Sequence, residues 1–310
     1  MKHLYKLPLL TVLALVACNP AGDASNLKII APTGAPAFAF YKHAQSANFE
    51  TNDTPNNIVA LMTEASDKDI VVIDTTSGLS AINAGAPYKI AATITHGNFY
   101  LVGTGNDENK TLDVGDKIVL FGQNKIPDKM FHYIYENTYD ESIEYVPAVT
   151  DAAKCLVSGK NLATGSTVDY VFIAQPAVYN LEQQKGKVFE TKINIQELYN
   201  QKSNNLPIMQ ASVFVKNSTD VNDAKAFLTE LKEDINSAIE SPDLFVEYIS
   251  RLGDTAAKKY GATGEVAKAV TEQGNALGLG YSDALENKAA IDNFISLFGM
   301  GETSEEIYFK

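Results

Sequence analysis

Short apolar, β-branched segments alternate with amphipathic helical patterns over the first two thirds of the chain. The unit is clearest at residues 115–136, where 117–121 is apolar enough for a buried strand and 122–125 is rich in turn residues. Pro127 and Asp128 then stand where the first turn of a helix favours proline and an acidic residue. This stretch therefore predicts a strand, a loop and a helix.

The same strand–loop–helix unit recurs along the chain. Alternation of this kind predicts a largely parallel sheet with helices on both faces. The predicted strands cover residues 27–31, 49–51, 69–73, 88–95, 99–102, 117–121, 142–146, 169–173 and 206–215, with an extended segment at 188–195.

After residue 215 the pattern becomes helical. Residues 103–110 contain glycine, asparagine and charged side chains but no apolar one, and this composition predicts a linker. Further helices are predicted at 244–252, at 265–276 and after Ser282 and Asp283, which together are interpreted as a helix cap. An apolar stripe with helical spacing joins Ala224, Phe227, Leu228, Leu231, Ile235 and Ala238.

These features predict an α/β fold with two Rossmann-like lobes, mainly parallel sheets around a hinge and cleft, and a helical C-terminal segment. The linker at 103–110 and the return strand before residue 216 supply two crossings between the lobes. The predicted divisions are a lipoprotein signal peptide at 1–17, a tether at 18–26, a first lobe formed by 27–105 and 206–310, and a second lobe at 106–205.

The amino-terminal residues resemble a secretory signal. A weakly basic start precedes the apolar run 7–17, which is too short to span a bilayer comfortably. The run ends at Cys18, which resembles the lipidated cysteine of a bacterial lipobox. We therefore expect lipidation of Cys18 and an anchor at the extracytoplasmic face of the cell membrane. The alternatives are a plain signal peptide with an incidental cysteine and a short membrane span.

Composition and charge narrow the function classes. The chain has 310 residues, of which 45% are hydrophobic and 20% charged, as in ordinary globular proteins. A net charge of −13 without a basic stripe argues against a nucleic-acid surface. Cys155 is the only cysteine besides Cys18, so no internal disulfide is expected in the mature chain. Its place in a predicted helix favours a buried structural thiol over a catalytic one.

Catalytic and metal-binding motifs are missing from the sequence. Beyond the signal segment the histidines are His43, His96 and His132, and HExxH, CxxC, GxSxG and GxxxxGK[ST] do not occur. Ligands clustered at metal-binding spacing are also missing. We therefore predict no catalytic residue, no metal site and no cofactor.

Segments spread over much of the mature chain carry a resemblance to a known family. They are 69–78, 86–92, 115–127, 158–160 followed by 169–171 after an insertion at 161–168, and 174–176. Together they resemble the solute-binding lipoproteins of bacterial ABC importers, in the type II branch that includes nitrate, sulfonate, taurine and thiamine-precursor binders. The resemblance implies a type II periplasmic-binding-protein fold and a monomer that delivers a small organic ligand, anionic or heterocyclic, to a permease and ATPase complex. Gln175 stands where the family often has glutamate, which weakens the transfer of an acidic contact.

The loops after the predicted strands are the candidate ligand site. Free amides at helix starts suit carboxylate, sulfonate or phosphate groups, and hydroxyl and amide side chains orient a ligand. The alternative for each residue is a cap or turn that never touches ligand. The candidates are Thr33, Gly34, Ala35, Thr75, Thr76, Ser77, His96 and Asn98 in the first lobe and its crossing, and Gln123, Asn124, Thr150 and Gln175 in the second lobe.

Aromatic stacking is a further candidate contribution to the site. Phe38, Tyr41 and Phe121 lie near the predicted loops, although packing in the core is the commoner fate of such side chains.

The sequence is also compatible with two other function classes. One is an enzyme on the same fold, such as a pyrimidine-forming relative of the thiamine branch, which would need a reactive histidine or cysteine in the cleft. The other is a surface lipoprotein that senses a ligand and contacts a receptor. Turnover of ligand by purified protein tests the first alternative, and gene neighbours that encode a permease and an ATPase argue against the second.

Overall fold

A computed structural model describes residues 22–105, 111–186 and 188–310. The predicted signal peptide, Cys18 and residues 106–110 of the predicted linker lie outside the described residues. The strands are β1 (Ile29–Pro32), β2 (Phe49–Asn52), β3 (Ile70–Asp74), β4 (Tyr88–Thr95), β5 (Phe99–Gly103), β6 (Ile118–Phe121), β7 (Ile143–Val146), β8 (Tyr170–Ala174), β9 (Lys192–Asn194), β10 (Ala211–Lys216) and β11 (Leu279–Asp283).

Helices connect most of these strands and dominate the C-terminal third. Helices of eight or more residues follow β3, β6, β7, β8, β9, β10 and β11, as expected for an α/β fold. The helices are α1 (Ala35–Phe38), α2 (Pro55–Val59), α3 (Thr75–Asn83), α4 (Ile126–Tyr135), α5 (Val149–Ser158), α6 (Ala177–Lys185), α7 (Ile195–Lys202), α8 (Val221–Glu240), α9 (Asp243–Ile249), α10 (Ala256–Tyr260), α11 (Gly264–Glu272) and α12 (Lys288–Ser296).

The strands form two sheets. The first has six strands in the order β11-β4-β10-β3-β1-β2, and the second has five in the order β7-β6-β8-β5-β9. In the first sheet β1 pairs in parallel with β2 and β3, and β10 runs antiparallel to both β3 and β4. In the second, β6 pairs in parallel with β7 and β8, and β5 is antiparallel to its neighbours. The predicted α/β class with two mainly parallel sheets is confirmed.

The crossing between the sheets lies at residues 96–98. Strand β4 ends at Thr95 in the first sheet, and β5 begins at Phe99 in the second. The sequence analysis predicted this crossing after β5, in segment 103–110. The composition of that segment is typical of a linker, whereas three residues between two apolar strands are typical of a turn. The chain returns between α7 and β10. The division into lobes, with this shift of the boundary, stays a prediction.

The helical segment after β10 packs on the first sheet through the apolar stripe predicted for α8. Its six members are buried, and they belong to the same cluster as Ile29 and Val72 on the sheet. Such burial removes apolar surface from water, at about 25 cal/mol per Å2. Tyr260 of α10 is fully buried in the same cluster, where its ring contacts Phe38 and Phe49. The C-terminal helices therefore complete the core around the first sheet.

Two elements differ from the predictions. Residues 195–202 form helix α7, whereas the sequence predicted an extended segment that ends at residue 195 and no element at 196–202. Ser282 and Asp283 belong to edge strand β11 and do not cap a helix, since α12 begins at Lys288. Strand β11 is short and contains Gly280, so its strand character depends on pairing with β4.

Cys155 lies in α5 with 2% of its surface exposed. It packs in one cluster with Ala152 and Val171, and burial raises the pKa of its thiol. The prediction of a buried structural cysteine is confirmed.

Within residues 22–105, 111–186 and 188–310, no helix has both the length and the apolar character that crossing a membrane requires.

Candidate functional site

The carboxyl ends of strands from both sheets meet at the crossings. The Thr75 amide, at the end of β3, donates to the Gln210 carbonyl at 3.0 Å, and the Gln210 amide donates to the Thr95 carbonyl at the end of β4, also at 3.0 Å. In the second sheet the Gln175 amide, after β8, donates to the Asn98 carbonyl at 2.8 Å. This edge is where ligands bind in open α/β sheets.

Backbone amides in the loop after β1 already donate hydrogen bonds to carbonyl groups elsewhere in the protein. The Thr33 amide donates to the Asn52 carbonyl at 3.1 Å, and the Gly34 amide donates to the Tyr260 carbonyl at 3.0 Å. Ala35 is buried and begins a helix of only four residues. Two of the amides expected to face a ligand are therefore already paired within the protein.

The loop after β3 also satisfies most of its own polar groups. The Thr75 hydroxyl is fully buried, 2.7 Å from the hydroxyl of Ser212 on β10. Asp74 caps helix α3: its Oδ1 accepts from the Thr76 hydroxyl at 2.7 Å and from the Ser77 amide at 2.8 Å. Because the capping carboxylate takes the place of an external anion, this helix start disfavours an anionic ligand group.

Polar side chains in the crossings bond to one another. Asn98 is 4% exposed; its Nδ2 donates to the Gln175 carbonyl at 2.6 Å, and its Oδ1 accepts from Gln210 Nε2 at 3.3 Å. The Gln175 side chain, also buried, accepts the Tyr179 amide at 3.1 Å. These contacts give Asn98 and Gln175 a structural part in joining the two sheets.

His96 is held from two sides. Its Nδ1 lies 2.9 Å from the carbonyl oxygen of Ile208, in the return crossing, and its Nε2 lies 3.3 Å from the Ser282 hydroxyl on β11. A carbonyl oxygen only accepts, so Nδ1 carries the proton and neutral Nε2 accepts from Ser282. Burial lowers the pKa of His96, and the bond to Ile208 offsets part of that shift.

This lowered pKa predicts a pH-dependent contribution of His96 to stability. As the pH falls, the unfolded state, with a histidine pKa of about 6.5, is protonated at a higher pH than the folded state. The contribution is therefore complete above that pKa and is lost as the pH falls below it. We expect the difference in unfolding free energy between wild type and His96→Gln to be larger at pH 8 than at pH 5, measured by urea unfolding. A difference that is constant with pH would contradict a neutral, buried His96.

The loops of the second sheet are exposed and border a pocket. Gln123, Asn124 and Thr150 are all exposed at the carboxyl ends of β6 and β7. The Gly122 amide donates to the Val146 carbonyl at 3.0 Å and so joins the two strand ends. The pocket has a volume of about 390 Å3 and is lined by Gly122, Gln123, Lys125, Tyr145, Val146 and Pro147.

Two helices begin at this pocket. The N-cap residue of α4 is Lys125 and that of α5 is Ala148, and neither makes a side-chain capping hydrogen bond. The free amides at these helix starts and the Lys125 ammonium contribute positive charge, which the first-turn carboxylates of Asp128 in α4 and Asp151 in α5 offset in part. This edge of the second sheet therefore suits an anionic or hydrogen-bond-accepting group better than the capped start of α3 does.

Of the six residues that line this pocket, sequence reasoning named only Gln123 and missed Gly122, Lys125, Tyr145, Val146 and Pro147. Lys125 and Pro147 stand in the strand-end loops, so their position was the available signal. Tyr145 lies within β7, next to its last residue, and no local pattern shows that its ring faces a pocket.

The candidate stacking residues are mostly core residues. Phe38 and Tyr41 are fully buried. Phe121 is partly exposed, but its ring contacts Phe99 and Phe172 at centroid distances of 6.4 and 6.3 Å.

A second pocket, of about 410 Å3, lies between α5 and α6. Its apolar lining includes Val157, Leu162 and Leu181. Because α5 begins at the strand ends and this pocket borders its C-terminal half, the pocket is remote from the candidate site. Among the residues that the structure describes, no three histidine, cysteine, aspartate or glutamate side chains are grouped to hold a metal ion.

The arrangement of two sheets joined by two crossings is the periplasmic-binding-protein fold. The chain is similar to an ABC transporter structure from Parabacteroides distasonis, with a TM-score of 0.69, 17% identity, and coverage of 88% of this chain and 91% of that chain. It is also similar to the ligand binding component of an ABC-type import system from Staphylococcus aureus, with zinc bound (TM-score 0.62, 9% identity, coverage 92% and 96%).

A third similar structure is the periplasmic aliphatic sulphonate binding protein SsuA from Escherichia coli, with a TM-score of 0.59, 15% identity, and coverage of 87% of this chain and 86% of that chain. No protein-family model matches the chain, and no curated protein matches its sequence. At these identities the similarity establishes the fold, and the ligand has to be argued from the residues of this chain.

Proposed function

We propose that this chain is the extracytoplasmic solute-binding component of an ABC importer, which captures a small organic ligand between two lobes and delivers it to a permease. The observation that carries the proposal is the pocket beside Gln123 and Tyr145, which lies at the strand ends of β6 and β7, on the same edge of the second sheet as the end of β8 that bonds to the first crossing. The proposal is supported by the fold shared with structures named as an ABC transporter, as the ligand binding component of an ABC-type import system and as a periplasmic sulphonate binding protein.

Binding in this arrangement works through closure. A ligand that touches both lobes makes its full set of contacts only when the lobes are shut, so it shifts the population toward the closed state. The crossing at residues 96–98 and the return crossing before β10 are the segments about which such a motion would occur.

The residues at the pocket indicate the chemistry of the ligand. Lys125 and the uncapped starts of α4 and α5 favour an anionic group on the second lobe, and Tyr145 and Pro147 offer ring surfaces to an apolar or planar body. Asp74 at the start of α3 directs any anionic group away from the first lobe. We therefore propose a small organic anion as the ligand.

The remaining parts of the proposal concern location and partners. The apolar run before Cys18 supports a lipid anchor, which would tether the protein at the outer face of the membrane beside its permease and ATPase. We propose that it acts there as a monomer. Binding without catalysis is proposed because the Cys155 thiol is buried with a raised pKa and His96 is tied into the crossings.

The test begins with mass spectrometry of small molecules that co-purify with the protein. A thermal-shift screen of organic sulfonates, carboxylates and phosphates follows, because a ligand that binds only the folded state raises the melting temperature. A compound that raises it and is recovered unchanged supports a binding protein. A compound that is converted would indicate an enzyme, and no stabilisation by any member of the screen would count against the proposed ligand class.

Gln123→Ala is expected to weaken binding of the best compound from this screen about tenfold, because one hydrogen bond to the ligand is lost. Isothermal titration calorimetry measures the affinity. Gln183→Ala, at an exposed position on α6, is the matched control and should bind as wild type does. Equal affinities in the two variants would place the ligand away from the loop after β6.

A further inference from the structure

A single buried carboxylate lies behind the pocket of the second sheet and joins three elements. Asp128, in the first turn of α4, is 4% exposed. Its Oδ2 accepts the backbone amide of Asn124 at 2.7 Å, and its Oδ1 accepts the Tyr145 hydroxyl of β7 at 2.8 Å. The Nδ1 of His132, one turn along α4, lies 2.9 Å from the same Oδ1.

The bond to Asn124 acts on the loop that carries Gln123. Gly122 and Asn124 both have left-handed backbone conformations, with φ of 68° and 61°. Such a conformation is unfavourable for a residue with a side chain unless surrounding contacts hold it. The carboxylate supplies that contact, and Gln123 stands between the two left-handed residues. Asp128 therefore fixes the direction in which the Gln123 side chain leaves the loop.

The bond to Tyr145 acts on the other wall of the pocket. Strand β7 lies at the edge of its sheet in the part of the chain that the structure describes, and it pairs with β6 alone. The Tyr145 ring lines the pocket, and its hydroxyl is bound to Asp128 at the buried end. Burial raises the pKa of Tyr145, and the hydrogen bond to Asp128 raises it further. Tyr145 is thus a neutral donor to the carboxylate.

We propose that Asp128 is a positioning residue that sets the shape of the second-sheet pocket before any ligand arrives, by holding the Gln123 loop and the Tyr145 ring at once. The assignment of this pocket to ligand binding rests on the proposed function. The pre-organisation itself is a property of the free protein. A rigid site loses less freedom when it binds, so Asp128 would act on affinity without touching the ligand.

An acidic residue in a first helical turn also stabilises the helix through its dipole, and this purely structural role is the alternative. Asp140 provides a matched control because it lies 3.3 Å from Nε2 of the same His132 and acts on Tyr145 through its charge, whereas the hydrogen bonds to the Asn124 amide and the Tyr145 hydroxyl are those of Asp128. Asp128→Asn keeps the shape of the side chain and one acceptor oxygen, so it should restore part of what Asp128→Ala removes.

The test measures the protection of the Asn124 amide and the environment of the Tyr145 ring in the ligand-free protein. Amide hydrogen exchange reports on Asn124, and 19F NMR of protein labelled with 3-fluorotyrosine reports on Tyr145, whose resonance is assigned with Tyr145→Phe. Asp128→Ala should speed exchange at Asn124 by about tenfold or more, since a hydrogen bond to a charged group is lost, and should shift the Tyr145 resonance. Asp128→Asn should give intermediate values, and Asp140→Asn should match wild type.

Two results would overturn the proposal. One is exchange at Asn124 and a Tyr145 resonance that stay as in wild type when Asp128 is replaced. The other is an equal change in Asp140→Asn, which would indicate a general effect of charge on α4. If Asp128→Ala fails to fold, Asp128→Asn decides by the same two readouts. Failure of the proposed function would instead appear as a wild-type protein that binds no member of the screen.

Discussion

Gly278→Ala is expected to lower the free energy of unfolding by about 3 kcal/mol, the sum of overpacking against rigid backbone and of a left-handed alanine. Gly278 has a φ of +67°, and a Cβ built on it would lie 2.0 Å from the Gly97 carbonyl oxygen and 2.7 Å from its carbon. Backbone atoms of a crossing cannot move aside as the end of a flexible side chain can. The carbonyl of Gly278 also accepts the His96 amide at 2.7 Å, so any shift disturbs the crossing itself.

Gly274→Ala separates the clash from the backbone strain. Gly274 belongs to the same turn region and has a φ of +72°, but a Cβ there meets nothing within 4 Å. It should therefore cost only the strain of a left-handed alanine, about 1 kcal/mol. Urea unfolding of both variants gives the comparison. Equal losses in the two would show that the segment before β11 does not press on the crossing at Gly97.

Most strands and the long helix α8 were predictable because the local pattern of apolar residues shows which of their side chains are buried. Strand β4 was predicted at 88–95 and observed at Tyr88–Thr95, since an apolar segment bounded by a proline and a glycine leaves little choice of limits. The stripe on α8 repeats over 20 residues, and a regular spacing of that length fixes which face is buried. In both cases nearby residues decide the structure.

The position of the crossing depends on pairing that a local pattern does not contain. Strand β5 is apolar and could belong to either sheet; its pairing with β8, about 70 residues later, assigns it to the second. Strand β11 likewise exists because β4 offers an edge for it to pair with. Helix α7 was missed because its polar sequence has a weak apolar stripe and is held by burial of Ile195 and Tyr199.

The candidate site shows the same limit. The loops were found because strand ends are visible in the sequence, but the availability of their polar groups is decided by distant partners. The Thr75 hydroxyl is taken by Ser212, and the Gly34 amide by Tyr260, each far away along the chain. Gln123 and Thr150 stay exposed at the strand ends of the second sheet.

Asn98→Ala is expected to have the second large effect, a loss of about 3 kcal/mol in the free energy of unfolding, because a buried polar group of Gln175 and a half-buried one of Gln210 each lose a partner. The Gln175 carbonyl loses the Nδ2 donor at 2.6 Å, and the Gln210 amide loses the Oδ1 acceptor at 3.3 Å. The Asn98 side chain bonds the first crossing both to the end of β8 and to the return crossing, so its removal weakens two of the links between the sheets at once.

The measurement is urea unfolding of Asn98→Ala beside Asn57→Ala, whose side chain is exposed on α2 and whose loss should change stability by less than about 0.5 kcal/mol. Asn98→Asp adds a second test. It keeps the acceptor for Gln210 but places a carboxylate against the Gln175 carbonyl, where burial and repulsion favour the protonated acid. Its destabilisation should therefore shrink as the pH is lowered from 7 to 4, relative to wild type at each pH. If Asn98→Ala is no less stable than Asn57→Ala, the bonds at Asn98 do not hold the two sheets together.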